Sequence, residues 1–166
     1  MARARGLSAR GVARRQRFVL LASQFHAGIT RALVRGATDV LRRQGVSARC
    51  IRLLWVPGAF ELPIVAARVA RARPRPDAII ALGALIRGQT SQFEILALAA
   101  AQGLAQVSVH TGVPVTCGVI VAETLAQARA RAGGAMGNRG AEAAQAALEV
   151  LQLFKRAGIQ DPFRKH

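Results

Sequence analysis

Residues 78–90 read Ala78-Ile79-Ile80-Ala81-Leu82-Gly83-Ala84-Leu85-Ile86-Arg87-Gly88-Gln89-Thr90, and this stretch decides the fold. Residues 78–82 are apolar throughout, as a strand covered on both faces must be. The chain then passes through Gly83 and Gly88 into a helical pattern over about 90–109. A buried strand feeding through a short loop into a long helix is the repeating unit of a parallel sheet.

The neighbouring sequence repeats that unit. Residues 18–23 form a first buried strand, and the helix expected over 28–44 carries Ile29, Leu33, Val34, Ala37, Val40 and Leu41 at helical spacing. Gly45 ends that helix as a glycine just past a carboxyl terminus does. Residues 50–56 read as a strand of mixed composition, which Pro57 and Gly58 turn into a helix over 61–72; the proline-rich residues 73–76 stop it. A fourth strand is expected over 115–121. Helices over 124–132 and 139–157 follow, joined by a linker holding Gly133, Gly134, Gly137 and Asn138. Right-handed crossovers then give an α/β protein, a flavodoxin-like three-layer α/β/α sandwich with a four-stranded parallel sheet of order 2-1-3-4. Ligands of such sheets lie past the carboxyl ends of the strands at the switch point. That rule selects residues 23–27, 57–61, 84–90 and the segment near Cys117.

With 166 residues, 52% of them apolar, the chain has the length and core material of one domain, which excludes general disorder. The expected division is a basic amino-terminal arm over 1–17 and one domain over 18–166. Cys50 and Cys117 are too few for a disulfide framework or a four-ligand zinc site, which fits a reducing compartment. His26 and His110 have no Cys or His partner at metal spacing, so neither metal nor cofactor is expected. The formal charge of +16 is concentrated in part in the arm, where Arg3, Arg5, Arg10, Arg14, Arg15 and Arg17 stand without an acid. Such an arm is compatible with a flexible tail, a nucleic-acid contact or an organelle-targeting peptide. Otherwise a cytoplasmic location is expected. The absence of Tyr and the single Trp argue against a base-stacking reader, leaving only nonspecific contact with nucleic acid. No run of 18 apolar residues occurs, so no membrane helix is expected.

The loops carry the chemistry. Residues 85–90 lead into a helix, whose free N–H groups and dipole favour an anion such as phosphate, although a glycine before a helix also serves simply as a turn. Glu61, at a strand-to-helix junction beside Phe60, either complements the helix dipole or accepts hydrogen bonds from ligand hydroxyls. Phe25, at a strand end, is either core or a surface for stacking on a planar ring.

Together these loops resemble the lumazine synthase family across about residues 17–153. Val56-Pro57-Gly58-Ala59-Phe60-Glu61-Leu62-Pro63 is similar to one family element, and Leu82-Gly83 with Ile86-Arg87-Gly88 and Thr90 to a second. Gly112-Val113-Pro114-Val115, Gly118-Val119, Gln127-Ala128, Arg131-Ala132-Gly133 and Gly137-Asn138-Arg139-Gly140 follow in family order. The resemblance implies condensation of 5-amino-6-(D-ribitylamino)uracil with 3,4-dihydroxy-2-butanone 4-phosphate to give 6,7-dimethyl-8-ribityllumazine, phosphate and water, a step of riboflavin biosynthesis. By position it implies that Phe25 stacks on the pyrimidine and that Ala59 with Glu61 holds the ribityl chain, with Phe60 also among the substrate-binding residues. Leu85 and Ile86 meet the pyrimidine edge through their backbone, and Gln89, Thr90 and Arg131 receive the phosphate. Arg131 comes from a neighbouring subunit of a homopentamer or a larger assembly.

Several positions depart from the family pattern, among them the lysines usual over 134–140, which are absent or replaced by Arg139. Gln92 stands where the family places its proton-transferring histidine, His26 where it often has asparagine, and Cys117 where an aromatic is usual. An amide does not titrate near neutrality, so His26 is a candidate for the missing proton transfer, with backbone hydrogen bonding as the alternative. Cys117, at a position that contributes to the family's substrate site, lacks a basic neighbour that would activate it and reads as a packing residue. A slowed enzyme, a degenerate binder of lumazines or flavins, and a cage-forming shell protein all follow from such a sequence.

Overall fold

A computed structural model describes residues 15–160, so most of the basic arm expected over 1–17 lies outside the described residues. In chain order the elements are β1 (Phe18–Ser23), α1 (Ala27–Arg43), β2 (Ile51–Val56), α2 (Leu62–Arg71), β3 (Ala78–Ile86), α3 (Gln92–Thr111), β4 (Val115–Ala122), α4 (Leu125–Ala130), β5 (Ala132–Gly134), β6 (Gly137–Asn138) and α5 (Arg139–Arg156). Single 3-10 turns, Ala48–Cys50 and Ala59–Glu61, precede β2 and α2. The main sheet has the order β2-β1-β3-β4 with every pairing parallel, which is the order and class read from the sequence. None of the helices among the described residues is long and apolar enough to cross a membrane.

The alternation of side chains along β1 and β3 builds the three layers. Phe18, Leu20, Ile80 and Leu82 enter a core with Ile29, Leu33 and Leu41 of α1 and Ala144 and Leu148 of α5. Val19, Leu21, Ile79 and Ala81 face the other way, onto Leu62 and Ala66 of α2 and Leu104 of α3. All six residues of β1 are buried, which is why its sequence does not alternate between apolar and polar.

Helix α1 ends as its glycine predicts. Gly45 has φ +90°, its N–H donates to the Arg42 carbonyl at 2.9 Å, and the Val46 N–H donates to the Leu41 carbonyl at 3.0 Å. Elsewhere the boundaries move. The loop expected from Gly83 is strand, because residues 83–86 pair with Val119, Ile120, Val121 and Ala122 of β4. Gly83 marks a close approach rather than a turn, since a Cβ there would stand 2.6 Å from Ser23 Oγ. Cys50 closes a 3-10 turn instead of opening β2, and α3 begins at Gln92 rather than near residue 90.

The glycine linker near 133–138 is a small antiparallel hairpin, β5 with β6, and Gly133 and Gly137 supply its positive φ angles. It delivers Asn138 to the head of α5. Asn138 Oδ1 accepts from the N–H groups of Gly140 at 2.9 Å and Ala141 at 3.1 Å, while its amide donates to the Ala32 carbonyl of α1 at 3.0 Å. Helices α1 and α5 come close enough that a Cβ on Gly140 would overlap the Leu33 carbonyl, and one on Gly36 would overlap the Asn138 side chain.

Replacing Gly140 with Ala is therefore expected to lower stability by about 3 kcal/mol, because backbone has to yield. Gly28→Ala, where nothing lies within 4 Å of the added methyl, serves as the comparison and is expected to be neutral or stabilising by about 0.5 kcal/mol. Urea unfolding midpoints of the two variants check the difference.

Candidate active site

Strand β3 outruns β1. The last β1 to β3 pair is Ala22 with Leu82, so among the described residues β3 has no strand partner on that side from Gly83 to Ile86, while β4 still holds its other edge. A cleft of about 430 Å³ opens there, at the carboxyl ends of β1, β2 and β3, which is the switch point of the sheet. The free main-chain edge beside Leu85 and Ile86 lines it and offers hydrogen bonds that a planar heterocycle with donors and acceptors on its rim can take.

Three further walls complete the cleft. Past β1 come Phe25, 68% exposed, and His26. The two rings meet edge to face, with centroids 5.2 Å apart and planes at 86°. A ring this exposed contributes little to the core, so its flat face is open to a partner. Past β2 come Ala59, which is buried, Phe60, which is exposed, and the half-buried Glu61. A Cβ on Gly58 would stand 2.9 Å from Glu61 Oε2, so the absent side chain leaves the carboxylate its place over the turn. Past β3 come Gly88 and Thr90, then Gln92, Phe93 and Leu96 from the first turns of α3. Ser91 stands at the N-cap of α3 without a side-chain cap hydrogen bond; the Glu94 N–H donates to the Ser91 carbonyl at 3.1 Å, and the N–H groups of Gln92 and Phe93 are left without a side-chain cap to meet an anion.

Arg87 braces this loop. Its guanidinium lies 3.2 Å from the Glu123 carboxylate, and its Cζ stands 5.6 Å from the centroid of the Phe93 ring. Both members of the ion pair are about half exposed, so the pair contributes at most about 1 kcal/mol. Its effect is positional, tying the end of β3 to the end of β4. The Arg87 N–H donates to the Ala122 carbonyl at 3.0 Å and extends the same pairing.

Of the residues singled out from sequence, Phe25, His26, Ala59, Phe60, Glu61, Leu85, Ile86, Thr90 and Gln92 meet in this one cleft. Gln89 is exposed in the loop but does not line the cleft. Arg131 lies in a separate hollow with Val121, Gln127 and Met136. Cys117 is exposed on β4 opposite Ala81, one strand away from the cleft, and so is not a packing residue of this chain. It sits on the edge strand, since among the described residues β4 has no outer neighbour in the sheet. Sequence reasoning passed over Gly58, Ala84, Gly88, Phe93 and Leu96 as wall residues. The signal for Leu96 was its position one helical turn after Gln92.

A model of the 6,7-dimethyl-8-ribityllumazine synthase family matches residues 15–155 of this chain. The chain belongs to that family. A 6,7-dimethyl-8-ribityllumazine synthase of Gemmatimonas aurantiaca is 52% identical over 142 residues, 86% of each chain. Another, of Halorhodospira halophila, is 48% identical over 140 residues, covering 84% of this chain and 89% of that relative. The lumazine synthase resemblance noted in the motifs thus extends over nearly the whole described fold.

Within this lumazine synthase family member, His26 has a strained backbone. It is the only non-glycine residue with positive φ among the described residues, at φ +55° and ψ +46°, and it immediately precedes α1. The left-handed region costs an ordinary residue about 1 kcal/mol and is tolerated best by Gly and Asn. The exposed contact with Phe25 offsets part of that. His26→Asn is accordingly expected to be at least as stable as the parent, with a gain of up to about 1 kcal/mol in thermal or urea unfolding.

Proposed function

We propose that the protein condenses 5-amino-6-(D-ribitylamino)uracil with 3,4-dihydroxy-2-butanone 4-phosphate to form 6,7-dimethyl-8-ribityllumazine, the reaction for which its relatives are named. The observation that carries this reading is the composition of the single cleft: an exposed aromatic face, a carboxylate over a tight turn, an unpaired strand edge and an open helix amino terminus around one space. Each feature suits one part of the two substrates. Phe25 stacks on the pyrimidine, the β3 edge at Leu85 and Ile86 hydrogen-bonds its rim, and Glu61 with Ala59 and Phe60 takes the ribityl hydroxyls. The loop carrying Gln89 and Thr90, with the first turn of α3, holds the phosphate. Bringing an amine and a ketone together in such a space is worth orders of magnitude in rate before any proton is moved.

The site is completed by a second copy of the chain. Arg131 is exposed and lies outside the cleft of its own chain, so it reaches a phosphate there only from a neighbour. Ile95 and Leu98 stand exposed on α3, and Leu53 and Trp55 on β2, apolar side chains that association between copies would cover. A homopentamer or a larger assembly is the arrangement proposed, with Cys117 contributed across the same boundary. A guanidinium fork suits a phosphate whose charge is held until it departs. Contact with nucleic acid is proposed only as nonspecific attraction to the net charge of +16, seen as salt-dependent retention on heparin.

Incubation of the purified protein with both substrates is expected to yield lumazine absorbance and one inorganic phosphate per lumazine; neither signal above the protein-free mixture refutes the activity. Arg131→Ala is expected to lose about 10- to 100-fold in kcat/KM for the phosphorylated substrate, the cost of one charge-assisted contact. Mixed assemblies of Phe25→Ala and Arg131→Ala chains are expected to regain part of that loss, because some clefts then pair an intact Phe25 with an intact Arg131. Gln92→His is expected to raise kcat about tenfold, since it places a titrating group on the cleft wall.

A further inference from the structure

We propose that His26 is the proton-transferring residue of the cleft, acting on the condensing amine and ketone directly or through one water. The proposal rests on the condensation reading above and adds to it the identity of the acid and base. Among the described residues lining the cleft, the ionisable side chains are His26 and Glu61. Gln92, the first residue of α3 and part of the cleft wall, carries an amide that neither gives nor takes a proton near neutral pH. Imidazole carries a donor and an acceptor nitrogen on one ring and can pass a proton between two reacting atoms, whereas the Glu61 carboxylate is assigned to the ribityl hydroxyls. Arg87, at the same end of the sheet, is engaged by Glu123 and remains charged.

The backbone sets the place of the ring. At φ +55° and ψ +46° His26 turns the chain from β1 into α1, and its side chain lines the cleft. The His26 ring is half-buried and packed edge-on against Phe25, the ring proposed to carry the pyrimidine. It also borders a second hollow that contains Arg129 of α4. The charged groups that share a hollow with it are therefore Glu61, from the turn before α2, and Arg129, from α4.

The chemistry balances on one imidazole. The amine lone pair forms the C–N bond as the carbonyl π pair moves to oxygen, and the proton shed by nitrogen is passed to that oxygen, leaving a neutral carbinolamine. In dehydration the imidazolium protonates the departing hydroxyl, the C–O bond breaks and water leaves. The remaining N–H proton returns to imidazole as C=N forms, so His26 ends as it began.

The test compares the parent with His26→Asn and His26→Gly, both suited to the left-handed backbone, at a series of pH values with both substrates saturating. Expected are a roughly 100-fold fall in kcat with KM changed less than about threefold, loss of the near-neutral limb of the kcat profile, and partial recovery of His26→Gly by added imidazole. If the parent is active and His26→Asn keeps its kcat and its pH profile, His26 is removed from the mechanism while the condensation stands. If the parent itself gives no lumazine above the protein-free mixture, the condensation reading falls and the role of His26 with it.

Discussion

The unequal length of two paired strands organises this molecule. Strand β3 runs past its last partner on β1 and is kept extended there by β4 on its other side, through pairs from Gly83 with Val119 to Ile86 with Ala122. A strand held on one side only has main-chain groups left over, and in a dry interior such groups have to be satisfied. Here they face a cleft, where a ligand can satisfy them. The overhang needs Gly83, because any larger residue would collide with Ser23 at the point where β1 stops.

The rest of the fold keeps that overhang in place. The core on one face of the sheet depends on a close approach of α1 and α5, permitted by Gly36 and Gly140 and fastened by the Asn138 side chain, which serves both helices. That contact fixes the direction in which α1 leaves the sheet, and so the position of Phe25 and His26 immediately before it. On the other face, Pro63 at the start of α2 and the 3-10 turn before it bring Glu61 back toward the sheet end. The cleft is thus framed by rigid elements on each side, and its lining comes from their ends.

Much of this was legible in the chain. Residues 18–23 and 78–82 announce buried strands by unbroken apolar character, and the α1 pattern with Gly45 announces both a helix and its end. Two of the misread stretches turn on glycine. A glycine in a strand is ambiguous between a turn and a close approach, and only the neighbour that fills the space decides; Gly83 has Ser23 beside it, whereas Gly133 and Gly137 turn a hairpin that no local hydrophobic pattern betrays. The site residues were legible as types at strand ends, but their grouping was not: Thr90 and Gln92 join the cleft, Gln89 beside them does not, and Arg131 faces away.

By itself the sequence determined the class of fold, the order of strands and three of the four segments it assigned to the switch point, because apolar periodicity, capping residues and the handedness of crossovers are local or general constraints. Only the tertiary structure decided that β3 overhangs β1, that His26 takes a left-handed backbone beside Phe25, and that Arg131 and Cys117 are turned out of their own chain's cleft. These are relations between segments far apart in the chain. They are set by packing, which a one-dimensional pattern does not encode.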